Sequence, residues 1–131
     1  MEINPEEEIN KRAEKVTRDD VGETVGKERE TSKRVKDSNI LMRYWEDVKT
    51  AFSLLRDWYK GDYNDVPFRM VSAITAALIY LISPLDVVPD CIPLAGLVDD
   101  ALVLAAVFAL SRRDLDAYSK WVNSKLGTVH N

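Results

Sequence analysis

The stretch from Val66 to Leu110 most constrains what this chain can become. It reads VPFRMVSAITAALIYLI, then SPLDVVPDCIPLAGLVDD, then ALVLAAVFAL. Two apolar runs flank a link that holds three prolines, one glycine and four aspartates. No charge falls between Met70 and Ile82, and every residue from Ala101 to Leu110 is apolar. A helix that is apolar all round must be buried, in protein or in lipid. Length does not choose between them: residues 66–82, as one helix, span roughly 25 Å, near the lower limit for ~30 Å of hydrocarbon. Carboxylates beside such runs are costly to bury unless paired, protonated or solvated.

The link carries helix-start and helix-stop chemistry. Ser83 suits a cap, Pro84 the first helical position, and Asp86 the place from which an acid reaches back to the cap. Pro89 ends whatever begins there, and Pro93 with Gly96 marks a second turn. A helix is then expected from about Leu97 to Leu110, with Asp99 and Asp100 in its first turn and Arg112 and Arg113 beyond its end, as the helix dipole favours.

Elsewhere the helical period is plain. Leu41, Trp45, Val48, Phe52, Leu55 and Tyr59 recur at spacings of three and four, which predicts an amphipathic helix over 40–60, capped by Ser38 or Asn39 and stopped by Gly61. Leu115, Tyr118, Trp121 and Val122 predict a final helix over 113–126. No strand signature appears, so the expected class is all-α: a bundle of about four helices around a central apolar hairpin. The expected domain is 39–127, with 128–131 as tail.

The first 38 residues carry 20 of the 40 charges and no aromatic residue. They read as a charged arm, partly disordered or weakly helical, with a short helix over 5–19. Gly22 and Gly26 interrupt it, each costing about 1 kcal/mol inside a helix.

Several residues of the link have a known counterpart. Val66-Pro67-Phe68-Arg69, Tyr80, Ser83-Pro84-Leu85-Asp86-Val87-Val88-Pro89-Asp90, Ile92-Pro93, Gly96 and Asp99-Asp100 follow the pattern S-P-x-D-x-x-P-D-x-I-P-x-x-G-x-x-D-D behind an apolar helix. Over 66–102 the chain resembles the YkvA-like family, a domain of unknown function. The resemblance implies a small helical domain, often membrane-associated, and no known activity. Cys91 stands where such sequences carry a bulkier apolar residue, and a small thiol still suits burial.

Function classes narrow by exclusion. A net charge of −4 argues against general nucleic-acid binding, and no nucleic-acid partner is expected. One cysteine leaves no intramolecular disulfide and no cysteine-based zinc site. His130, the single histidine, sits in the tail, far in sequence from Ser83 and Cys91, so a nucleophile–base pair is not expected. Gly96 stands alone where a phosphate loop needs several glycines and a lysine. The N-terminus, MEINPEEEINKR, is not a secretory signal.

Asp86, Asp90, Asp99 and Asp100 remain. They serve as caps and turn residues, pair with Arg69 or another cation, or gather an oxygen-ligated Mg²⁺ or Ca²⁺ as the one cofactor the chain suggests. Two settings stay open. In one, 66–82 and 94–111 form a membrane hairpin with both feet cytoplasmic, placed there by Arg69, Arg112 and Arg113, and the chain is a non-enzymatic interaction module for a membrane or a partner protein, or a homo-oligomer. In the other, a soluble cytoplasmic bundle buries both helices under 40–60 and 113–126, and the aspartates bind a divalent cation or do acid–base work.

Overall fold

A computed structural model describes residues 13–82 and 100–130. Its elements are α1 (Arg18–Val25), α2 (Glu28–Lys36), a 3₁₀ turn (Leu41–Tyr44), α3 (Trp45–Lys60), α4 (Phe68–Ile82), α5 (Asp100–Leu110) and α6 (Arg112–His130). No strand occurs among the described residues, and the fold is all-α and bundle-like.

Helix α4 is the hub. Every residue from Val71 to Leu78 is buried, as are Tyr80 and Leu81. Four helices touch it: α1, α2, α3 and α5. Its all-round apolar surface therefore finds its cover in protein. No described helix is long and apolar enough to cross a membrane.

The charged arm behaves differently from expectation. Its described part forms two helices docked on the core, not a solvated arm. Thr17 closes a capping box with Asp20: the Thr17 hydroxyl accepts from the Asp20 N–H at 3.2 Å and the Asp20 carboxylate accepts from the Thr17 N–H at 2.9 Å. The helix expected over 5–19 thus ends before Thr17, where a new one starts, and its residues up to 12 lie outside the described residues. In α2, Glu28 and Glu30 open the helix while Lys33, Arg34 and Lys36 close it, in line with the dipole.

Docking rests on a few small side chains. Val21 and Val35 are wholly buried, and so are Thr24 and Thr31. Each threonine donates to the carbonyl four residues back, Thr24 to Asp20 at 2.8 Å and Thr31 to Lys27 at 3.1 Å, so its hydroxyl enters the core satisfied. Arg34 also donates to the Leu81 carbonyl at 3.2 Å, at the end of α4, where carbonyls lack helical partners. Gly22, expected to break a helix, lies inside α1 because a side chain there would meet the Tyr59 ring: a Cβ would come within 2.7 Å of it. Arg18 holds that ring in place, stacking over it at 4.5 Å and donating to the Tyr59 carbonyl at 2.5 Å.

The amphipathic helix over 40–60 is present, with its first turn tightened to 3₁₀. Ser38 caps that turn, accepting from the Leu41 N–H at 3.2 Å. Gly61 ends α3 in the left-handed region at φ 86°, which a glycine adopts without strain. The inward face of α3 is Val48, Ala51, Phe52, Leu54 and Leu55. Only Ser111 separates α5 from α6. Its buried hydroxyl donates to the Val107 carbonyl at 2.7 Å, and its own carbonyl accepts from Leu115 at 2.8 Å. Helix α6 packs on α3 and touches α5.

Two substitutions test this packing. Gly22→Ala sets a helix-propensity gain of about 1 kcal/mol against displacing the outer end of the half-exposed Tyr59 ring, so it should forfeit most of that gain. Val35→Ala should cost about 2 kcal/mol, against near zero for a valine in a solvated arm. Urea denaturation measures both, and an unchanged midpoint in Val35→Ala would show that α2 is not docked.

Candidate functional site

Of the four aspartates singled out by sequence, Asp86, Asp90 and Asp99 lie outside the described residues. Asp100 is the first residue of α5, the helix-start position expected of it. Ser83 and Cys91 also lie outside them. Among the described residues no group of three or more His, Cys, Asp and Glu side chains could hold a metal.

Two other surfaces stand out. The first is a groove between α3 and α6, with α2 at its rim. Its volume is about 520 Å³, and Glu28, Lys49, Ser53, Arg56 and Tyr118 help line it. Tyr118 is buried at its floor. The Tyr118 hydroxyl donates to the Asp57 carboxylate at 2.5 Å and lies 2.6 Å from the Ser53 hydroxyl. Tyr63 and Trp121 pack against its ring at 5.0 and 5.8 Å. Burial, then the hydrogen bond to Asp57, pushes the Tyr118 hydroxyl up to about 12 from its ordinary 10. At neutral pH it keeps its proton and gives Asp57 a fixed partner, which suits a structural pin and not an acid–base catalyst. Arg56 reaches Glu28 at 2.8 Å across the rim, tying α2 to α3.

The second surface belongs to α5. Val103, Leu104, Val107 and Phe108 face inward, with Phe108 against Tyr44 at 6.1 Å. Leu102 is 50% exposed, and Ala109 and Leu110 are exposed too. The 3₁₀ turn that packs beside α5 adds Ile40, 58% exposed, and Met42. Exposed Arg43 and Arg113 follow Met42 and Leu110 closely in the chain and make no ion pair among the described residues. Arg112, in contrast, is fully engaged: it grips Asp47 through two bonds of 3.1 and 2.9 Å and reaches Asp116 at 3.3 Å. The hydrogen bond to Asp47 raises its pKa, burial opposing.

A family model described as "Protein of unknown function (DUF1232)" matches residues 71–106, which is most of α4, the link and the first part of α5. The uncharacterized membrane protein YkvA of Bacillus subtilis (strain 168) is 40% identical over 76 residues, covering 58% of this chain and 72% of that protein. The chain belongs to the YkvA-like family. The family's description assigns no activity, and the YkvA protein is named for a membrane. No solved structure matches the chain. The matched family region thus contains most of the hub helix and the link, while α1, α2, α3 and α6 lie outside it.

The sequence places Tyr118 in the apolar stripe of the final helix and gives no sign that it meets Ser53 and Asp57. What the sequence does carry is the four-residue spacing of Ser53 and Asp57, which sets both on one side of α3.

The pin has a pH signature. Because the folded pKa of Tyr118 lies above the ordinary value, its stabilisation is complete below pH 10 and is lost as pH rises toward 12. The full effect is on the order of 2 kcal/mol. Urea midpoints should therefore fall across this range in the natural chain, and fall less in Tyr118→Phe. Ultraviolet titration should show a late-ionising tyrosine that is missing from Tyr118→Phe, beside Tyr63, which burial also pushes up. Identical slopes for the two proteins would remove the pin.

Proposed function

We propose that this chain is a non-enzymatic helical interaction module that seats peripherally on a membrane surface. The observation that carries the reading is the outward face of α5. An eleven-residue helix, apolar along nearly its whole length, buries one side in the bundle and leaves Leu102, Ala109 and Leu110 to solvent. Ile40 and Met42 extend the apolar surface on the adjoining turn, and exposed Arg43 and Arg113, which make no ion pair among the described residues, supply cations for anionic headgroups. Apolar insertion a few ångströms deep combined with basic side chains is the chemistry of peripheral membrane binding. The membrane name of the YkvA relative supports the same setting.

Peripheral seating replaces the inserted hairpin with cytoplasmic feet. Helix α4 is enclosed by four helices, and lipid would have to displace α1 and α2 to reach it. The α3–α6 groove, rimmed by charged side chains of both signs, is the surface this reading leaves for a partner protein.

Vesicle co-sedimentation tests the proposal. The full chain should bind vesicles rich in anionic lipid and lose affinity as salt rises. Leu102→Asp combined with Leu110→Asp should weaken binding by about tenfold or more, while stability stays within about 0.5 kcal/mol because both residues are surface-exposed. Failure to pellet with anionic vesicles at low salt would sink the reading.

A further inference from the structure

The chain has three tryptophans, and one is held differently from the others. Trp58 stacks on Phe68 at 5.5 Å, and Trp121 packs against Tyr63 and Tyr118 at 4.9 and 5.8 Å. The Trp45 ring instead lies under two ammonium groups, Lys36 at 4.7 Å and Lys49 at 5.4 Å from its centre. Trp45 is half-buried and packs against the core, so the lysines cover what the core does not. Both lysines are exposed. Lys49 also reaches Glu46 at 3.2 Å, an exposed pair that contributes little.

The backbone joins Trp45 to the apolar surface beside α5. Its N–H donates to the Met42 carbonyl and closes the 3₁₀ turn. Residues three apart in such a turn stack on one side, so Trp45 continues the exposed Met42. Lys49 lies one helical turn further along the same side of α3. Tyr44, next in the chain to Trp45, packs on Phe108 at 6.1 Å and fastens the turn to α5. Lys36 comes in from the last turn of α2. A tryptophan under two mobile cations thus adjoins the surface that Ile40 and Met42 form beside α5.

A lysine ammonium can lie over an indole or against a phosphate, but not both. At an exposed ring the first contact is weak. The negative potential of an anionic leaflet favours the second. The indole uncovered by the exchange has the amphipathic shape that settles at the headgroup level of a bilayer. We infer that Trp45 is the interfacial anchor of this face: on an anionic bilayer Lys36 and Lys49 leave the ring for lipid phosphates, and the indole enters the boundary between headgroups and acyl chains. This anchor rests on the proposed membrane seating and names the residue that enters the lipid.

Quenching of tryptophan emission by lipid tests it, on the full chain with phosphatidylglycerol vesicles whose acyl chains are brominated near the headgroup. Binding should quench part of the emission and shift it to the blue. That quenched part should vanish in Trp45→Phe and persist in Trp58→Phe and in Trp121→Phe. Lys36→Gln and Lys49→Gln should each lower vesicle affinity about fivefold at low salt, with a smaller loss as salt rises. Without vesicles, each lysine variant should make the emission easier to quench by iodide, because the ring loses a cover. These two variants keep the inference open to test even where Trp45→Phe disturbs the core. Quenching by lipid that survives in Trp45→Phe, or unchanged affinity in both lysine variants, would overturn the anchor and leave the membrane seating standing. Failure of the natural chain to pellet with the same vesicles would overturn both.

Discussion

One requirement governs the bundle: α4 must be covered on every side. Its buried run from Val71 to Leu78 has no polar stripe to turn outward, so a single neighbour or a pair cannot satisfy it. Cover comes from α3 and α5, and also from two short helices whose composition is mostly charge. Those helices have little tendency to form alone at eight and nine residues. Docking on α4 stabilises them, and they in turn keep α4 out of solvent. The dependence is mutual, and Arg34 at the Leu81 carbonyl adds a polar tie to the apolar one.

The all-α class, α3, the Gly61 stop, the buried character of α4 and the final helix were all legible in the sequence, because each rests on a strong period or a strong breaker. The fate of the N-terminal segment was not. Its core contribution is a valine per helix plus threonines that hide their hydroxyls on their own backbone. A threonine scored as polar leaves too thin a stripe to suggest docking. Gly22 misled for a related reason. Its absent side chain is a fit to Tyr59, a residue 37 positions later, and no local pattern records that.

The candidate surfaces were partly legible. An apolar run along the whole of α5 announces that something beyond the bundle must be reckoned with, yet only the packing shows which residues are left over. The Ser53–Asp57–Tyr118 linkage joins positions 61 and 65 residues apart and needed tertiary geometry.

The junction at Ser111 leaves no loop between α5 and α6. One residue joins them, and its backbone bonds both ways, to Val107 behind and Leu115 ahead. Arg112 then ties the junction to α3 through Asp47, and Tyr118 fastens α6 to α3 again two turns further on. The exposed side of α5 and the α3–α6 groove, unrelated on the outside of the molecule, are therefore two faces of one uninterrupted run of hydrogen-bonded backbone.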